Sequence, residues 1–236
     1  MKKSCIVTGG TKGIGRAIVE KFASNGFDII TTSRSEMQLV ELKSEMQYKY
    51  PDCAIYTIQT DQSIKSEVEK FASFCLSRTK SIDILIANTG VYVPGQIHSE
   101  QMGVLEQMIE TNLYSAYHLI RAIVPEMIKK KEGHIFTLCS TASIKPYING
   151  GSYCISKFAL YGLTKVLREE MKEHNIKVTA VLPGATLTSS WDNVDLPKER
   201  FMQSEDIANA IYNTTTLSKS AVVEEILLRP MEGDIE

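Results

Sequence analysis

The chain has 236 residues, 43% of them hydrophobic, which is enough for one large domain with a sizeable core. Its 26 basic and 28 acidic residues nearly cancel, so charge gives no reason to expect a nucleic acid partner. No apolar run reaches the ~18 residues of a membrane span, and the scattered histidines form no ligand pattern, so we expect neither a membrane nor a metal site.

Cysteine usage points to a reducing compartment. The five cysteines are odd in number and show no CxxC spacing. The N-terminal sequence MKKSCIVTGG reaches glycine after too short an apolar run for a signal peptide. We therefore expect reduced thiols and a cytoplasmic location.

Short apolar, β-branched runs alternate along the chain with amphipathic stretches. The runs are mostly continuous, as in strands covered on both faces, and span 4–9, 27–33, 54–59, 82–88, 134–140, 176–184 and 221–228. The stretches of helical length between them are 14–25, 35–48, 63–78, 100–131, 151–174 and 204–215. This alternation predicts an α/β fold: one doubly wound domain over residues 1–236, with a seven-stranded, mostly parallel sheet and helices on both faces.

A glycine-rich loop, TGGTKGIG at residues 8–15, directly follows the first predicted strand. Gly9, Gly13 and Gly15 permit a tight turn and a close approach of backbone to a pyrophosphate. The helix that follows points its N-terminal amides at such an anion. In this context the loop predicts a dinucleotide site rather than a plain turn.

The end of the second strand decides between the two dinucleotides. The segment TTSRS, residues 31–35, lacks the acidic residue that usually holds a 2′-hydroxyl in NAD sites. Ser33 and Arg34 suit a 2′-phosphate instead, and Lys12 adds a second positive charge. The pattern favours NADP(H) over NAD(H), although a solvated arginine at a strand end is the plainer alternative.

Six motifs in order resemble those of the short-chain dehydrogenases/reductases, over nearly the full length of the chain. Beside the glycine loop they are IANTG (86–90), TNLYSAY (111–117), TLCS, YCISK and PGATLT (183–188). Ala87 and Thr89 depart from the family's Asn-Asn-Ala-Gly signature, but Asn88 and Gly90 keep its other positions. The resemblance implies a Rossmann-type domain with cofactor contacts from Gly9, Thr11, Lys12, Gly13, Ile14, Gly15, Ser33, Arg34, Asp61, Asn88, Gly90, Tyr153, Lys157, Pro183, Gly184 and Thr188.

The same resemblance implies a catalytic set for reversible carbonyl reduction: Asn112, Ser140, Tyr153 and Lys157. Tyr153 would supply the proton, and a lysine ammonium one helical turn away is expected to favour its phenolate, because tyrosine otherwise has a pKa near ~10. Ser140 would donate to the substrate carbonyl oxygen. In the family, the lysine also holds the nicotinamide ribose, and the asparagine holds a water of a proton relay.

Each of these residues also has a structural interpretation when it is taken alone. Tyr153 and Lys157, four apart on a helix, are more typical of a surface pair, and Ser140 is typical of a turn at a strand end. Asn112 alone is typical of a helix residue bonded to a neighbour. Their joint occurrence at family spacing favours the active site.

Two enzymatic hypotheses and one other stay open for the substrate. A 3-oxoacyl-[acyl-carrier-protein] reductase needs a basic patch for its acidic partner, and Lys129–Lys131 and Lys172 lie near where such relatives carry arginines. A reductase or dehydrogenase of free small molecules, such as 3-hydroxy acids or pterin-like carbonyls, is the alternative. The C-terminus, EEILLRPMEGDIE, lacks the glycine-rich ending of the carrier-protein enzymes. A non-catalytic dinucleotide sensor is disfavoured, since such relatives usually lose the tyrosine or the lysine.

Three irregular stretches, 89–99, 141–150 and 185–203, follow strands and are the expected walls of a substrate site. Their mixed aromatic and aliphatic residues suit a small or medium carbonyl compound: Tyr92, Val93, Ile144, Tyr147, Ile148, Leu187 and Trp191. Residues 189–203 resemble a shortened family lid, in which Trp191 either anchors the lid or packs the loop onto the core. Relatives are mostly tetramers or dimers built through the two long helices, so a homotetramer or homodimer is expected.

Overall fold

The seven apolar runs form one seven-stranded sheet, and each pairing between its named strands is parallel. The computed structural model describes residues 2–191 and 195–235. Its strands are β1 (Ser4–Thr8), β2 (Asp28–Ser33), β3 (Ile55–Gln59), β4 (Ile84–Ala87), β5 (Gly133–Leu138), β6 (Ile176–Pro183) and β7 (Glu225–Leu228). They lie in the order β3-β2-β1-β4-β5-β6-β7.

Helices cover both faces of this sheet, which confirms the doubly wound class. They are α1 (Gly13–Ser24), α2 (Glu36–Lys49), α3 (Lys65–Arg78), α4 (Val104–Ile109), α5 (Ser115–Lys130), α6 (Gly151–Met171) and α7 (Ser204–Thr215). Helices α1, α2 and α7 pack on one face through apolar residues that include Ile18, Phe22, Leu42, Met46 and Ile211. Helices α3, α5 and α6 pack on the other face through residues that include Phe71, Leu119, Ile123, Leu160 and Leu167.

The strand order reverses between β1 and β4, because the chain runs outward to β3 and then returns to the other side of β1. Parallel α/β sheets bind ligands at this switch, outside the carboxyl ends of the strands. Asn88, directly after β4, donates its backbone amide to Thr8 Oγ1 (2.9 Å) and its side-chain amide to the Thr8 carbonyl (2.8 Å). These bonds hold the loops after β1 and β4 side by side at the crevice.

The stretch 100–131 is not one helix, in contrast to the prediction. Helix α4 begins only after Gly103, whose φ of +92° is left-handed. A π-turn, Glu110–Tyr114, then separates α4 from α5. A hydrophobic period near 3.6 does not distinguish a π-turn from α-helix, since the extra residue shifts the pattern by less than one turn. Strand β7 likewise begins later than predicted, at Glu225.

In the described part of the chain, no helix is both long and apolar enough to cross a membrane. No group of three or more histidine, cysteine, aspartate or glutamate side chains in residues 2–191 and 195–235 is arranged to hold a metal ion. All five cysteines are buried free thiols, and burial raises the pKa of Cys139, which disfavours the reactive thiolate at this neighbour of Ser140.

Candidate active site

The glycine loop after β1 forms an open, positively polarised cradle. Gly9 and Gly13 have φ values of +66° and +49°, where residues with a Cβ are strained. A Cβ on Gly15 would clash with the Gly9 carbonyl oxygen, and one on Gly13 would lie 2.9 Å from Thr188 Cγ2. No side chain caps the start of α1, and its first turn contains no acidic residue. The free amides and the positive end of the α1 dipole therefore suit a phosphate.

Polar side chains at the end of β2 form a cluster beside this cradle. Thr11 Oγ1 lies 3.1 Å from Ser33 Oγ and 3.2 Å from Gln38 Oε1. Arg34 follows with an exposed side chain. Gln38 was not among the predicted contacts. The sequence offers one indication of it, since Gln38 lies three residues after the helix-capping residue Ser35. The Ser35 side chain accepts a hydrogen bond from the Gln38 amide (3.4 Å) at the start of α2.

The ends of β3 and β4 complete the wall of the cradle. Asp61 accepts from the amide (2.9 Å) and the hydroxyl (2.7 Å) of Ser63. Burial raises the pKa of this carboxyl, but the Ser63 bonds and the nearby charge of Arg34 lower it further, so the net pKa is below its usual value. Among the described residues, the buried atoms Gln62 Oε1 and Thr89 Oγ1 have no hydrogen-bond partner. Buried polar atoms are nearly always paired, so these two fit a site for a polar ligand.

The other predicted cofactor residues lie around the same cradle. Ile14 is half-buried in the first turn of α1, and Lys12 is exposed in the loop itself. Pro183 ends β6, and the amide of Gly184 donates to the Leu228 carbonyl (2.8 Å), which holds this segment against β7. Thr188 lies beside the cradle, next to Gly13.

Lys157 is the buried centre of the second half of the site. Its side chain is 5% exposed, and Nζ donates to the Leu138 carbonyl at the end of β5 (2.8 Å). The same atom lies 5.8 Å from the centroid of the Tyr153 ring. A Cβ on Gly90 would lie 3.3 Å from both Lys157 Nζ and Asn112 Oδ1. The structure thus brings α6, the β4 loop and the π-turn together around one ammonium, which a surface pair would not require.

Asn112 fastens the loop after β4 to the π-turn. Its Oδ1 accepts from the Val91 amide (2.7 Å), and its Nδ2 donates to the Val91 carbonyl (3.0 Å) and to Ser156 Oγ (2.9 Å). Single π-turns inside α-helices are frequently found at functional sites. Ser156, directly before Lys157, is a further site residue that no sequence motif indicated.

Ser140 ends the β5 segment and starts a short 3₁₀ turn, Thr141–Ser143. Its Oγ accepts from the Ala142 amide (3.1 Å), and its own amide donates to Ser143 Oγ (3.1 Å). These reciprocal bonds hold the hydroxyl in a defined orientation. Ser140 lies close enough to Tyr153 to lower the pKa of its phenol, which favours the phenolate.

Burial dominates the ionisation of the tyrosine–lysine pair. Burial raises the pKa of Tyr153 to about 12, although the nearby Ser140 hydroxyl opposes the rise. Burial also lowers the pKa of Lys157 to about 8. Desolvation is the largest effect on the Tyr153 pKa in this structure, so the role expected for Lys157, to favour the phenolate, stays a prediction. At neutral pH the site therefore holds a neutral phenol, the form that can donate a proton.

Comparison with known proteins places the chain in a family. The family model for short chain dehydrogenase matches residues 3–199. The chain belongs to this family. It is 32% identical over 244 residues to sepiapterin reductase of Chlorobaculum tepidum, covering 100% of this chain and 99% of that one. It is 28% identical to an NADP-dependent 3-hydroxy acid dehydrogenase of Salmonella typhi, covering 94% and 86%.

A solved structure agrees with this assignment over the whole chain. An alcohol dehydrogenase of the archaeon Thermococcus sibiricus, complexed with 5-hydroxy-NADP, is 25% identical and covers 100% of both chains. Its TM-score of 0.92 means that nearly every element superposes. The predicted family and its fold are therefore confirmed.

Two tyrosines from separate loops flank Tyr153 in this short-chain dehydrogenase. The ring of Tyr92 contacts the Tyr153 ring edge to face, with centroids 5.0 Å apart. Burial raises the pKa of Tyr147, and its hydrogen bond with Tyr92 adds to the rise. Tyr147 also lines an apolar cavity of about 380 Å³, with Ile97, Pro146, Gly151, Cys154, Ile155 and Phe158. Among the other expected wall residues, Ile148 is 81% exposed.

The predicted lid of this short-chain dehydrogenase, 189–203, is tied down next to the core. Residues 192–194 of this stretch lie outside the described residues. Met202 bridges back to the segment after β6 through its amide, which donates to the Ala185 carbonyl (3.1 Å). Trp191 packs against the buried ring of Phe201, with centroids 5.1 Å apart. This contact supports the hypothesis that Trp191 packs the loop onto the core.

Proposed function

We propose that this protein is an NADP(H)-dependent reductase that interconverts a ketone or aldehyde carbonyl and an alcohol on a free small molecule. The observation that carries the proposal is the convergence of four side chains at one crevice: Asn112, Ser140, Tyr153 and Lys157. They come from the π-turn, the end of β5 and the start of α6. These elements lie at the carboxyl ends of strands beside the glycine cradle, where a dinucleotide and a substrate would meet.

The cofactor-binding residues that we assign fit NADP(H) better than NAD(H). The cradle would hold the pyrophosphate, because Gly9, Gly13 and Gly15 leave no side chain in its way. Ser33, with the cationic residues Arg34 and Lys12, would hold a 2′-phosphate at the end of β2, where no carboxylate competes. Two relatives support this preference, since one is named NADP-dependent and one was solved with an NADP derivative.

Lys157 and Asn112 would position the nicotinamide half of the cofactor. An ammonium has three donors, and one of them is bound to the Leu138 carbonyl, which leaves donors for the ribose hydroxyls. When bound, the nicotinamide supplies or accepts the hydride. Asn112 holds the loop that carries Gly90 against Lys157, so the ammonium keeps its place beside Tyr153. A water beside Asn112 would complete the route by which protons reach the site from solvent.

The protein's own groups would then handle the proton and the oxygen. Ser140 Oγ would donate to the substrate carbonyl oxygen and orient it, since its position is set by the 3₁₀ turn. Tyr153, a neutral phenol at neutral pH, would donate its proton to the alkoxide as the hydride reaches the carbon. The positive charge of Lys157 would stabilise the phenolate that remains, and in the reverse direction this phenolate accepts the proton.

The walls of the site favour a free small molecule with flat, unsaturated surface. Tyr92 and Tyr147 present aromatic rings beside Tyr153, and stacking on such rings stabilises planar groups. Sepiapterin reductase, among the more similar relatives, carries the name of a planar substrate. We therefore propose a pterin-like or other conjugated ketone as the first substrate class to test.

The basic residues suggested for a carrier protein lie elsewhere in the chain. Lys129 and Lys130 end α5, shortly before β5 begins, and Lys172 follows α6, before β6 begins. These three lysines therefore lie near the amino ends of the strands, whereas Ser140 lies at the carboxyl end of β5. Each is within 2.8 Å of a carboxylate, on Glu126, Asp83 and Glu169 respectively. The charges of three of the four suggested lysines, all except Lys131 at the C-cap of α5, are thus offset by neighbouring carboxylates, which favours the free-substrate hypothesis.

An assembly through α6 is part of the proposal. Ile155, Phe158 and Val166 lie on its outer surface and are 40%, 44% and 57% exposed. A Cβ on Gly162, between them, would meet nothing within 4 Å. Such an apolar stripe on a 21-residue helix suits a second copy of the chain, as in a homodimer or homotetramer. Light scattering that shows a stable monomer would count against it.

The decisive experiment replaces Tyr153 by phenylalanine and measures NADPH oxidation with a panel of carbonyls. The panel contains pterin-like diketones, 3-oxo acids, aromatic aldehydes and acetoacetyl thioesters. Tyr153→Phe should lower kcat by about 10²–10⁴-fold and leave NADPH affinity nearly unchanged. Tyr48→Phe, at an 88% exposed tyrosine, is the matched control and should be fully active.

The substrate profile separates the hypotheses. Turnover of free ketones supports the proposal, and turnover of thioesters alone supports the carrier-protein enzyme. NADPH binding without any turnover supports a sensor. A fully active Tyr153→Phe variant would show that another group supplies the proton.

A further inference from the structure

The loop after β4 is joined to the catalytic helix by contacts that the proposed chemistry does not use. Residues 91–100 run along the mouth of the site and carry Tyr92, which packs on the Tyr153 ring. Gly95 forms a parallel bridge with Gly150, and its amide donates to the Asn149 carbonyl (3.0 Å). Asn149 itself has a φ of +66°, a conformation that few residues other than glycine adopt.

The Glu100 carboxylate makes a further contact of this kind, with the start of α6. One oxygen of Glu100 accepts from the hydroxyl of Ser152, and the other lies 3.4 Å from the Ser152 backbone nitrogen. Ser152 is 1% exposed and directly precedes Tyr153. The N-cap of α6, Gly150, makes no side-chain hydrogen bond, so a carboxylate 52 residues earlier in the chain serves the free amide of the helix. A negative charge is also favourable at this positive end of the helix dipole.

Two glycines leave the room that this carboxylate needs. A Cβ on Gly151 would lie 2.7 Å from the Gly95 carbonyl oxygen and 2.9 Å from Glu100 Oε2. A Cβ on Gly95 would lie 2.9 Å from Glu100 Cβ. All three distances are shorter than a carbon contact tolerates, so a side chain at either position would push the loop away from α6. The absence of side chains at Gly95 and Gly151 therefore permits the loop to approach α6 this closely.

We propose that Glu100 is a positioning residue for proton transfer, acting through Ser152. Its carboxylate holds the first turn of α6 and the loop 91–100 in one arrangement, which sets the phenol of Tyr153 against Ser140 and Tyr92. The proposal rests on the proposed function, in which Tyr153 donates the proton. Glu100 does not touch the reacting atoms, so its effect falls on the chemical step and not on cofactor binding.

The test compares Glu100→Ala, Glu100→Gln, Ser152→Ala and the Glu100→Ala/Ser152→Ala double variant. Glu106→Gln, at an exposed glutamate on α4, is the control. We expect Glu100→Ala to lower kcat by about tenfold or more, as small misplacements of a reacting group do. Glu100→Gln keeps one acceptor oxygen for the Ser152 hydroxyl and should recover part of the loss. NADPH affinity, from the fluorescence of the bound cofactor, should change by less than about twofold.

The double variant shows whether Glu100 works through Ser152. If it does, the double variant is no slower than the slower single variant. The proposal is overturned if the reductions in kcat of the two single variants multiply in the double variant. It is also overturned if Glu100→Ala keeps its kcat and only its melting temperature falls. If Glu100→Ala fails to fold, Ser152→Ala alone must still lower kcat at unchanged NADPH affinity. An active Tyr153→Phe enzyme would refute the proposed function, whereas an inactive Tyr153→Phe beside a fully active Glu100→Ala refutes only this inference.

Discussion

Replacing Lys157 by methionine should stabilise the cofactor-free protein at neutral pH while it abolishes turnover. The physical reason is the cost of keeping an ammonium charged in a buried place. Lys157 is 5% exposed, and burial lowers its pKa from 10.5 to about 8. Methionine fills similar volume without a charge, so it removes this cost together with the group that the proposed chemistry needs.

The size of the effect follows from the pKa. A fall from 10.5 to about 8 corresponds to about 3 kcal/mol, at roughly 1.4 kcal/mol for each pH unit. The variant leaves the Leu138 carbonyl without its partner, which costs about 1–3 kcal/mol. At pH 7 we therefore expect Lys157→Met to be about 0–2 kcal/mol more stable than the parent protein.

The pH dependence is the sharper part of the prediction. Between pH 8 and 10.5 the unfolded chain keeps the Lys157 proton and the folded protein releases it. The stability contributed at this residue therefore rises with pH through that window and is lowest below pH 8. From pH 8 to 10.5 the free energy of unfolding of the parent protein should rise relative to that of the variant by about 3 kcal/mol, because other titrating groups cancel in the difference.

Urea denaturation at several pH values measures this difference. Lys165→Met, on the same helix, is the control. Hydrogen bonds with Glu225 and Tyr161 raise the pKa of Lys165, so the stability difference between the parent protein and this variant should not rise from pH 8 to 10.5. The argument would be refuted if the difference in free energy of unfolding between the parent protein and Lys157→Met stayed constant from pH 7 to 10.5. A constant difference would mean that the lysine is solvated in the folded protein.

Two further predictions concern cofactor choice and acid stability. Arg34→Ala should weaken NADPH binding by about 1.5–3 kcal/mol, the value of hydrogen bonds to a charged group, and leave NADH affinity nearly unchanged. If calorimetric titrations show equal losses of affinity for NADPH and NADH, Arg34 does not belong to the 2′-phosphate site. His134 is buried beside Thr179 (Nε2 to Oγ1, 2.7 Å), and burial lowers its pKa to about 3. Because the unfolded chain takes up this proton first, stability should fall by up to about 1.4 kcal/mol for each pH unit from 6.5 towards 3. His134→Gln should flatten that slope and the exposed His98→Gln should not, as denaturation at pH 4–7 will show.

Much of the fold and of the candidate site follows from local pattern. Continuous apolar runs between amphipathic stretches predict a parallel sheet with helices on both faces, because each strand must be covered twice. The glycine spacing at residues 9–15 predicts the cradle, since backbone conformation there depends on the residues themselves. The family spacing from Ser140 to Tyr153 and Lys157 predicted which side chains converge.

The remainder depends on contacts between distant segments, which the sequence pattern does not contain. The π-turn at Asn112 is stabilised by bonds to Val91 and Ser156, and the Glu100–Ser152 contact joins residues 52 positions apart. The pKa values of Tyr153 and Lys157 depend on how much water the fold excludes, so their direction could not be inferred from spacing. The fold class, the family and the identity of the candidate catalytic groups could therefore be predicted from the sequence. The ionisation of these groups and the contacts that hold them in place depend on the packed chain, because desolvation and long-range hydrogen bonds arise only when the chain packs.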